Sequence, residues 1–415
     1  MLLVGWLCLK SRELTWIGSV QGAVAKKHIK HFSAVFHFVL YVPFCGYITV
    51  RIKREMRILQ VCSVTTFGGG ERHLADLSHA LSDLGHEVYA ASVPGSPLWA
   101  ELSFLTNTRT LALSRGNYVK NLTGLAAFVR ANGIEIVHAH AARDYHLAAL
   151  AVRLAPRARL VLTRHVLFPL KRINRPLLKS AGRVIAVSQA VGESLRRNGV
   201  IDSSKVRVVH NGIDTERFDH SVARSGELPV VVGTVGHLAP IKGHDVFVRA
   251  AALISARRPD VHFVIIGEDK SPQMDHRRSL ESLIAELGLS GIVTMPGWRD
   301  DMPAALSSLT LFVSAARSEP FGLAIVEAMA AGLPIVAAAS EGALEIIEDG
   351  LSGKLVPIDD PEALAQAIND LLDDPLERSR LGRHAMLAAR ERYSLARMAS
   401  DTERVYREVL ADGIH

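Results

Sequence analysis

Residues 317–334 constrain this chain more than any other stretch. A short apolar run, Thr310-Leu311-Phe312-Val313-Ser314, precedes them and reads as a buried strand. Pro320 and Gly322 then open a helix that Gly332 ends and Pro334 keeps from resuming. A helix start that faces the carboxyl end of a parallel strand offers free N–H groups and a positive dipole end, which suits an anion such as a diphosphate. Two carboxylates bracket it, Glu319 just before the helix and Glu327 inside it. The helix is otherwise Ala, Leu, Ile, Val and Met, so Glu327 is unfavourable to bury without partners. Vicinal sugar hydroxyls are partners of the right chemistry. The plainer reading makes Glu327 the exposed position of an amphipathic helix, and for one Glu alone that reading would win.

The spacing and context of the whole stretch, however, resemble the Glu-x7-Glu motif of retaining GT-B glycosyltransferases, specifically glycosyltransferase family 4. The resemblance implies that Glu319 holds hydroxyls of a donated sugar and Glu327 the ribose of a nucleotide. It further implies that the amides of Phe321, Gly322 and Leu323 approach sugar and phosphates.

Ahead of this region the chain divides. Residues 1–55 differ from the rest: 32–50 is mostly apolar and nearly long enough to span a bilayer, weakened by His37, Pro43 and Gly46. Either it is a membrane anchor, or translation begins further on, since Met56-Arg57-Ile58-Leu59-Gln60-Val61 looks like the natural start of a first strand; the second reading is slightly preferred. No cleavable leader is evident. From Met56 the pattern alternates strand and helix. Residues 58–62 form a strand, Gly68-Gly69-Gly70-Glu71 a loop, and 72–84 a helix stopped by Gly85. The loop is not the Gly-x-Gly-x-x-Gly dinucleotide fingerprint, which counts against a dehydrogenase. It resembles the family's Gly-Gly-x-Glu loop, which implies that Gly69 and Gly70 reach across a cleft toward donor phosphates.

Residues 134–140 make a strand ending in His138 and His140, which share one face by period-two alternation. Relatives carry an active-site His in this stretch, and His140, nearer the strand tip, is the better candidate of the two. Thr163-Arg164-His165 ends another strand and is placed to line the acceptor side. His210-Asn211-Gly212-Ile213-Asp214 resembles the turn that closes the family's first domain, and 219–227 reads as a linker. The second domain opens with a strand at 230–235 and the loop Gly236-His237-Leu238-Ala239-Pro240-Ile241-Lys242-Gly243. The family has Arg, then Lys five residues later, as cations for the leaving diphosphate. Lys242 keeps the second, but His237 stands where Arg is expected, which weakens that phosphate contact. Glu268-Asp269 and Gly297-Trp298-Arg299 follow strands where a nucleotide base would sit.

Charge is unevenly spread. Residues 56–225 carry 22 basic and 12 acidic side chains, and residues 226–415 carry 18 and 28. Ten Lys or Arg against one acid fall between Arg143 and Arg183, interleaved with Leu167, Phe168, Leu170, Ile173, Leu177 and Leu178. Such a surface suits anionic lipid headgroups, although a solvated basic face over core positions is nearly as good a description. Sparse aromatics and the lack of a recognisable motif argue against a nucleic-acid partner. Cys8, Cys45 and Cys62 have neither metal-ligand nor disulfide spacing, which points to a reducing compartment.

The expected fold is therefore α/β and GT-B, two Rossmann-like domains facing each other across a cleft. The expected divisions are an extension at 1–55, an acceptor-side domain at 56–223, a nucleotide-sugar domain at 224–393 and a returning helix at 394–415. The resemblance implies transfer of a sugar, with retention, from a nucleotide diphosphate sugar to a hydroxyl of a glycan, lipid-linked or small-molecule acceptor, as in cell-envelope polysaccharide or lipopolysaccharide synthesis. The sparse cysteines and the basic, apolar run between Arg143 and Arg183 point to a cytoplasmic protein, peripheral on the inner face of the cytoplasmic membrane. His140, Glu319 and Lys242 are the expected catalytic residues. Gly69, Gly70, His237, Lys242, Arg299, Glu319, Phe321, Gly322, Leu323 and Glu327 are the expected donor contacts. No metal or other cofactor is expected, since a helix dipole and a lysine replace the cation. The competing readings are a nucleotide-sugar epimerase on the same architecture and a non-catalytic nucleotide-sugar-binding protein.

Overall fold

The computed structural model describes residues 55–105, 109–218 and 229–412 in full, and before them the backbone of five strands. These are β1 (Trp6–Lys10), β2 (Glu13–Val20), β3 (Ala23–His28), β4 (Phe36–Val42) and β5 (Gly46–Ile52). Residues 1–55 form one unit and 56–415 another. In the first, β1, β2 and β3 pair antiparallel in that order, and β4 pairs antiparallel with β5. The apolar stretch at 32–50 thus overlaps β4 and β5, while its residues 32–35 and 43–45 lie outside the described residues. Among the described residues no helix is long and apolar enough to cross a membrane.

The second unit begins where the sequence suggests a first strand. Its first sheet uses β6 (Arg57–Cys62), β7 (Glu87–Ser92), β8 (Thr110–Ala112), β9 (Ile136–Ala139), β10 (Arg159–Arg164), β11 (Ala181–Ala186) and β12 (Val206–Val208). All are parallel, in the order β12-β11-β10-β9-β6-β7-β8. The connecting helices are α1 (Gly69–Asp83), α2 (Pro97–Glu101), α3 (Tyr118–Ala131), α4 (Tyr145–Leu154), α5 (Arg175–Leu178) and α6 (Gln189–Asn198). The second sheet uses β13 (Val231–Val235), β14 (His262–Ile266), β15 (Val293–Gly297), β16 (Leu311–Ser314), β17 (Ile335–Ala338) and β18 (Lys354–Val356). It too is wholly parallel, in the order β15-β14-β13-β16-β17-β18. Around it lie α7 (His244–Ser255), α8 (Asp275–Glu286), α9 (Met302–Ser307), α10 (Leu323–Ala330), α11 (Glu341–Ile346), α12 (Pro361–Asp373) and α13 (Pro375–Arg392). Parallel strands covered on both faces must be apolar along their length, and β6, β9 and β17 are buried almost throughout. These are the two Rossmann-like domains that the alternating pattern implies.

Each sheet has a point where the strand order reverses, between β6 and β9 in the first and between β13 and β16 in the second. Crevices at the carboxyl ends of such strand pairs are where open α/β sheets bind ligands. The last helix, α14 (Leu395–Ala411), returns to the first sheet: Met398, Val405, Tyr406 and Val409 join Met56, Ile58 and Leu74 in one buried cluster. The crossing is tight. Ile213 N–H donates to Tyr393 C=O at 2.9 Å, Leu395 N–H donates to Ile213 C=O at 3.0 Å, and a Cβ on Gly212 would lie 2.5 Å from Ser394 O. Here Gly212 serves close approach, beyond the turn that its dipeptide suggests. The expected linker, 219–227, lies outside the described residues.

Helix α1 starts three residues before the expected Arg72. The Glu71 carboxylate accepts the Gly68 N–H at 2.9 Å, so the glycines are drawn into the first helical turn instead of lying loose before it.

Candidate active site

The centre of the second domain is assembled by close packing of three loops at the carboxyl ends of β13 and β16. Gly243 has φ +64°, and a Cβ there would lie 1.9 Å from Ala315 O, so the 240–243 turn presses directly on the end of β16. Arg317 locks this arrangement. Its N–H donates to Ile241 C=O at 2.9 Å, and its guanidinium makes a two-pronged contact to Asp245 (2.9 and 2.7 Å) and a further one to Asp359 (2.7 Å). Lys242 is thereby brought to Glu319, with Nζ 2.5 Å from Oε2 and both side chains largely enclosed.

The helix start itself is held from three sides. Gly322 occupies the N-cap with φ +112°, a conformation that strains any residue with a Cβ. Gly342 N–H donates to Glu319 C=O at 2.8 Å, and a Cβ on Gly342 would lie 2.1 Å from Phe321 O. From the first domain, Ser188 Oγ donates to Pro320 C=O at 2.5 Å. Phe321 turns its ring into the core against Tyr393 and His210, leaving only its backbone to the cleft. Glu345 bridges the domains, accepting the Gln189 N–H at 2.9 Å and contacting His210 Nε2 at 2.5 Å.

Facing this helix start is the glycine loop of α1. A Cβ on Gly69 would come within 3.1 Å of Leu323 Cδ1, and one on Gly68 within 3.7 Å of His237 Nε2. The two domains therefore approach closely at the residues that the motifs single out. His237 stacks against Trp298, with ring planes 22° apart. Burial, reinforced by Lys270 and Lys242, lowers the His237 pKa to about 4, so the ring is neutral here. Lys270, which the sequence reading passes over, donates from Nζ to Phe67 C=O in the glycine loop. With His237, Pro240 and His276 it lines a cavity of about 540 Å³. Asp269 also lines it, and its carboxylate accepts the backbone N–H groups of Ser271, His276 and Arg277. Arg299 is exposed, one residue beyond Trp298.

Glu327 is partly buried on α10. Burial raises its pKa to about 7; Arg72 and Arg217 oppose the shift and Asp76 adds to it. Its charged surroundings therefore include α1 and the turn at Thr215–Phe218, in addition to the α10 helix start that the sequence suggests.

At the carboxyl ends of β9 and β10 the histidines are packed together. His138 is fully buried, with Nδ1 2.7 Å from Tyr406 Oη and Nε2 2.6 Å from Thr163 Oγ1. That makes it a structural pivot between the sheet and α14. His140 lies 4.1 Å from it, ring to ring, and its Nε2 meets Gln60 Oε1 at 2.8 Å. Beside His140 are His165 and, from α1, His73. Burial and mutual proximity hold the His140 and His165 pKa values well below the ordinary imidazole range, and burial lowers that of His73 to about 4. His140 thus reaches a cluster that His138 does not. His73 had no signal in the sequence beyond one His on an amphipathic helix.

Comparison with known proteins agrees with this architecture. Residues 67–217 match the family description "Glycosyltransferase Family 4", and residues 216–387 match "Glycosyl transferases group 1". A D-inositol 3-phosphate glycosyltransferase of Salinispora tropica is 33% identical over 302 residues, covering 68% of this chain and 60% of the relative. An alpha-D-kanosaminyltransferase of Streptomyces kanamyceticus is 30% identical over 251 residues, covering 58% of this chain and 64% of the relative. The chain thus spans about three fifths of the length of the curated relatives it matches. Among solved structures, Anabaena HepE in complex with UDP and glucose superimposes with a TM-score of 0.73 at 25% identity, covering 84% of this chain and 99% of that one. A glycosyltransferase from Rickettsia africae superimposes with a TM-score of 0.77 at 24% identity, covering 86% and 99%. The two family descriptions account for the chain from residue 67 to residue 387, each over one of the two parallel-sheet domains, and this protein belongs to glycosyltransferase family 4, with the GT-B fold.

Proposed function

We propose that this protein transfers a hexose-type sugar from a nucleotide diphosphate sugar to an acceptor hydroxyl, with retention of anomeric configuration. The observation that carries this is the α10 helix start, with the Lys242–Glu319 pair beside it and the glycine loop of the opposite domain closing over it. The helix dipole and Lys242 would stabilise charge on the departing diphosphate. Glu319, released from Lys242 by the phosphates, would accept sugar hydroxyls, and Glu327 the ribose. Lys270 would supply the second cation that His237 does not. A uridine nucleotide is favoured by the HepE complexes with UDP and with UDP-glucose. The leaving phosphate oxygen would take the acceptor proton in a front-face displacement.

The acceptor side would be the first domain, above β9 and β10. A small phosphorylated polyol is one acceptor class to test, given the named activity of the Salinispora relative. A lipid-linked or glycan acceptor in envelope synthesis is the other, supported by the surface near α5. There Phe168 is 72% exposed and Ile173 83% exposed, among exposed Lys171, Arg172, Arg175 and Lys179. That combination suits a peripheral contact with an anionic membrane.

The test is a panel of nucleotide sugars screened by thermal stabilisation, then assayed for nucleoside diphosphate release with each acceptor class. A donor present at a hundredfold its Kd stabilises by about 2.7 kcal/mol. Glu319→Ala should lower kcat/KM at least tenfold, as expected from about 1.5–3 kcal/mol for a charged hydrogen bond. Donor binding without acceptor-dependent release would identify a binding protein instead, and an epimerised donor without acceptor would identify an epimerase.

A further inference from the structure

We propose that His73, His140 and His165 form a binding site for one divalent transition-metal ion, of which Zn²⁺ fits best. One ring nitrogen from each residue lies within 4.8 Å of the other two. Each ring also has a buried nitrogen without a hydrogen-bond partner: His73 Nδ1, His140 Nδ1 and His165 Nε2. One such nitrogen is an ordinary packing compromise, but three on adjoining rings call for a shared partner.

The chemistry of the donors is fixed by their neighbours. Gln60 Oε1 is an amide oxygen and can only accept, so His140 Nε2 carries its proton and donates. The neutral ring then leaves the Nδ1 lone pair aimed away from Gln60. Gln60 is held in turn, its Nε2 donating to Tyr406 Oη at 3.5 Å. This outer contact on a ligating histidine sets the tautomer and orientation, as is usual in metal sites. Of the two arginines adjoining the ligands in the chain, Arg164 sends its guanidinium to Phe168 C=O and Arg72 lies over the Phe67 ring.

Three neutral imidazoles with one position left for water are a zinc donor set, and imidazole ligands suit Zn²⁺ and its borderline neighbours rather than Mg²⁺ or Ca²⁺. Tetrahedral bonds of about 2.0–2.1 Å would place the three nitrogens about 3.4 Å apart. From 4.8 Å or less, side-chain rotation covers the difference. Gly70 leaves room for it, since even a Cβ at that position would meet the His165 ring only at 3.5 Å. The site lies in the first domain, at the carboxyl ends of β9 and β10 and on α1. It shares no residue with the Lys242–Glu319 pair, although the glycine loop of α1 adjoins both.

The test uses the full chain, stripped with a chelator and titrated with Co²⁺, followed by Zn²⁺. The expected result is one Co²⁺ per chain with the visible absorption of tetrahedral cobalt, displaced by one equivalent of Zn²⁺. His73→Ala and His165→Ala should each abolish the absorption and weaken binding at least tenfold. Gln60→Leu should weaken it about 10–100-fold through loss of ring orientation. His262→Ala, at an exposed position of β14, should bind as the parent does. His165 is only partly buried, so His165→Ala decides the matter should His73→Ala fail to fold. Absence of tetrahedral absorption, or equal Co²⁺ affinity in the parent and His165→Ala, overturns the proposal and leaves the three nitrogens to water or substrate hydroxyls.

Discussion

Replacing Glu327 by Gln should stabilise the protein at alkaline pH and do nothing at acidic pH. Burial moves the Glu327 pKa from 4.5 to about 7. The folded value lies above the unfolded one, so folding favours the protonated carboxyl. The associated stability is fully present below about pH 4.5 and is lost as pH rises through about 7. The difference of 7 less 4.5, at 1.36 kcal/mol per pKa unit, sets an upper bound of about 3.4 kcal/mol. Gln has the shape of the protonated acid and no charge to desolvate. Urea unfolding of parent and Glu327→Gln at half-unit steps from pH 4.5 to 8.5 gives the difference curve. It should already slope at pH 4.5, fall most steeply between about pH 5 and 7, and plateau above about pH 8 with the variant more stable. Asp76, whose own pKa burial raises to about 6, titrates in the same region and will broaden the fall. A difference curve that is level across the range would refute the placement of Glu327 in a desolvating environment. Donor binding should act oppositely: a carboxylate that accepts ribose hydroxyls loses that capacity on becoming an amide, so Glu327→Gln should bind nucleoside diphosphate more weakly.

Tyr406→Phe should destabilise the first domain by about 1–3 kcal/mol, because His138 Nδ1 and Gln60 Nε2 both lose a buried partner; calorimetric or urea unfolding measures it. The full chain should float with liposomes in proportion to their anionic lipid, and Phe168→Ser with Ile173→Ser should reduce flotation. Flotation that ignores both lipid charge and salt would contradict a headgroup contact, since such attraction is screened over about 8 Å at physiological ionic strength.

Much of this protein is legible from its sequence alone, because the determining interactions are local. The apolar run Leu311–Ser314 reads as a buried strand, and Pro320, Gly322 and Gly332 punctuate the helix that follows it. Repetition of that unit on both sides of residue 219 is enough for two parallel sheets. The carboxylates at 319 and 327 carry the family resemblance at fixed spacing. What the tertiary structure decided is what arises between segments far apart in the chain. Arg317 reads as one more surface cation until it is seen clasping Asp245 and Asp359, which is what sets Lys242 beside Glu319. Lys270 gains its place from a carbonyl two hundred residues earlier, in a loop of the other domain. His73, His140 and His165 have no common spacing and lie on a helix and the ends of two strands. Periodicity assigns a side chain to a face, but only the order of strands in a sheet says which faces meet. Desolvation follows from that meeting, and with it the shifted titration of Glu327 and the neutral state of the histidine cluster.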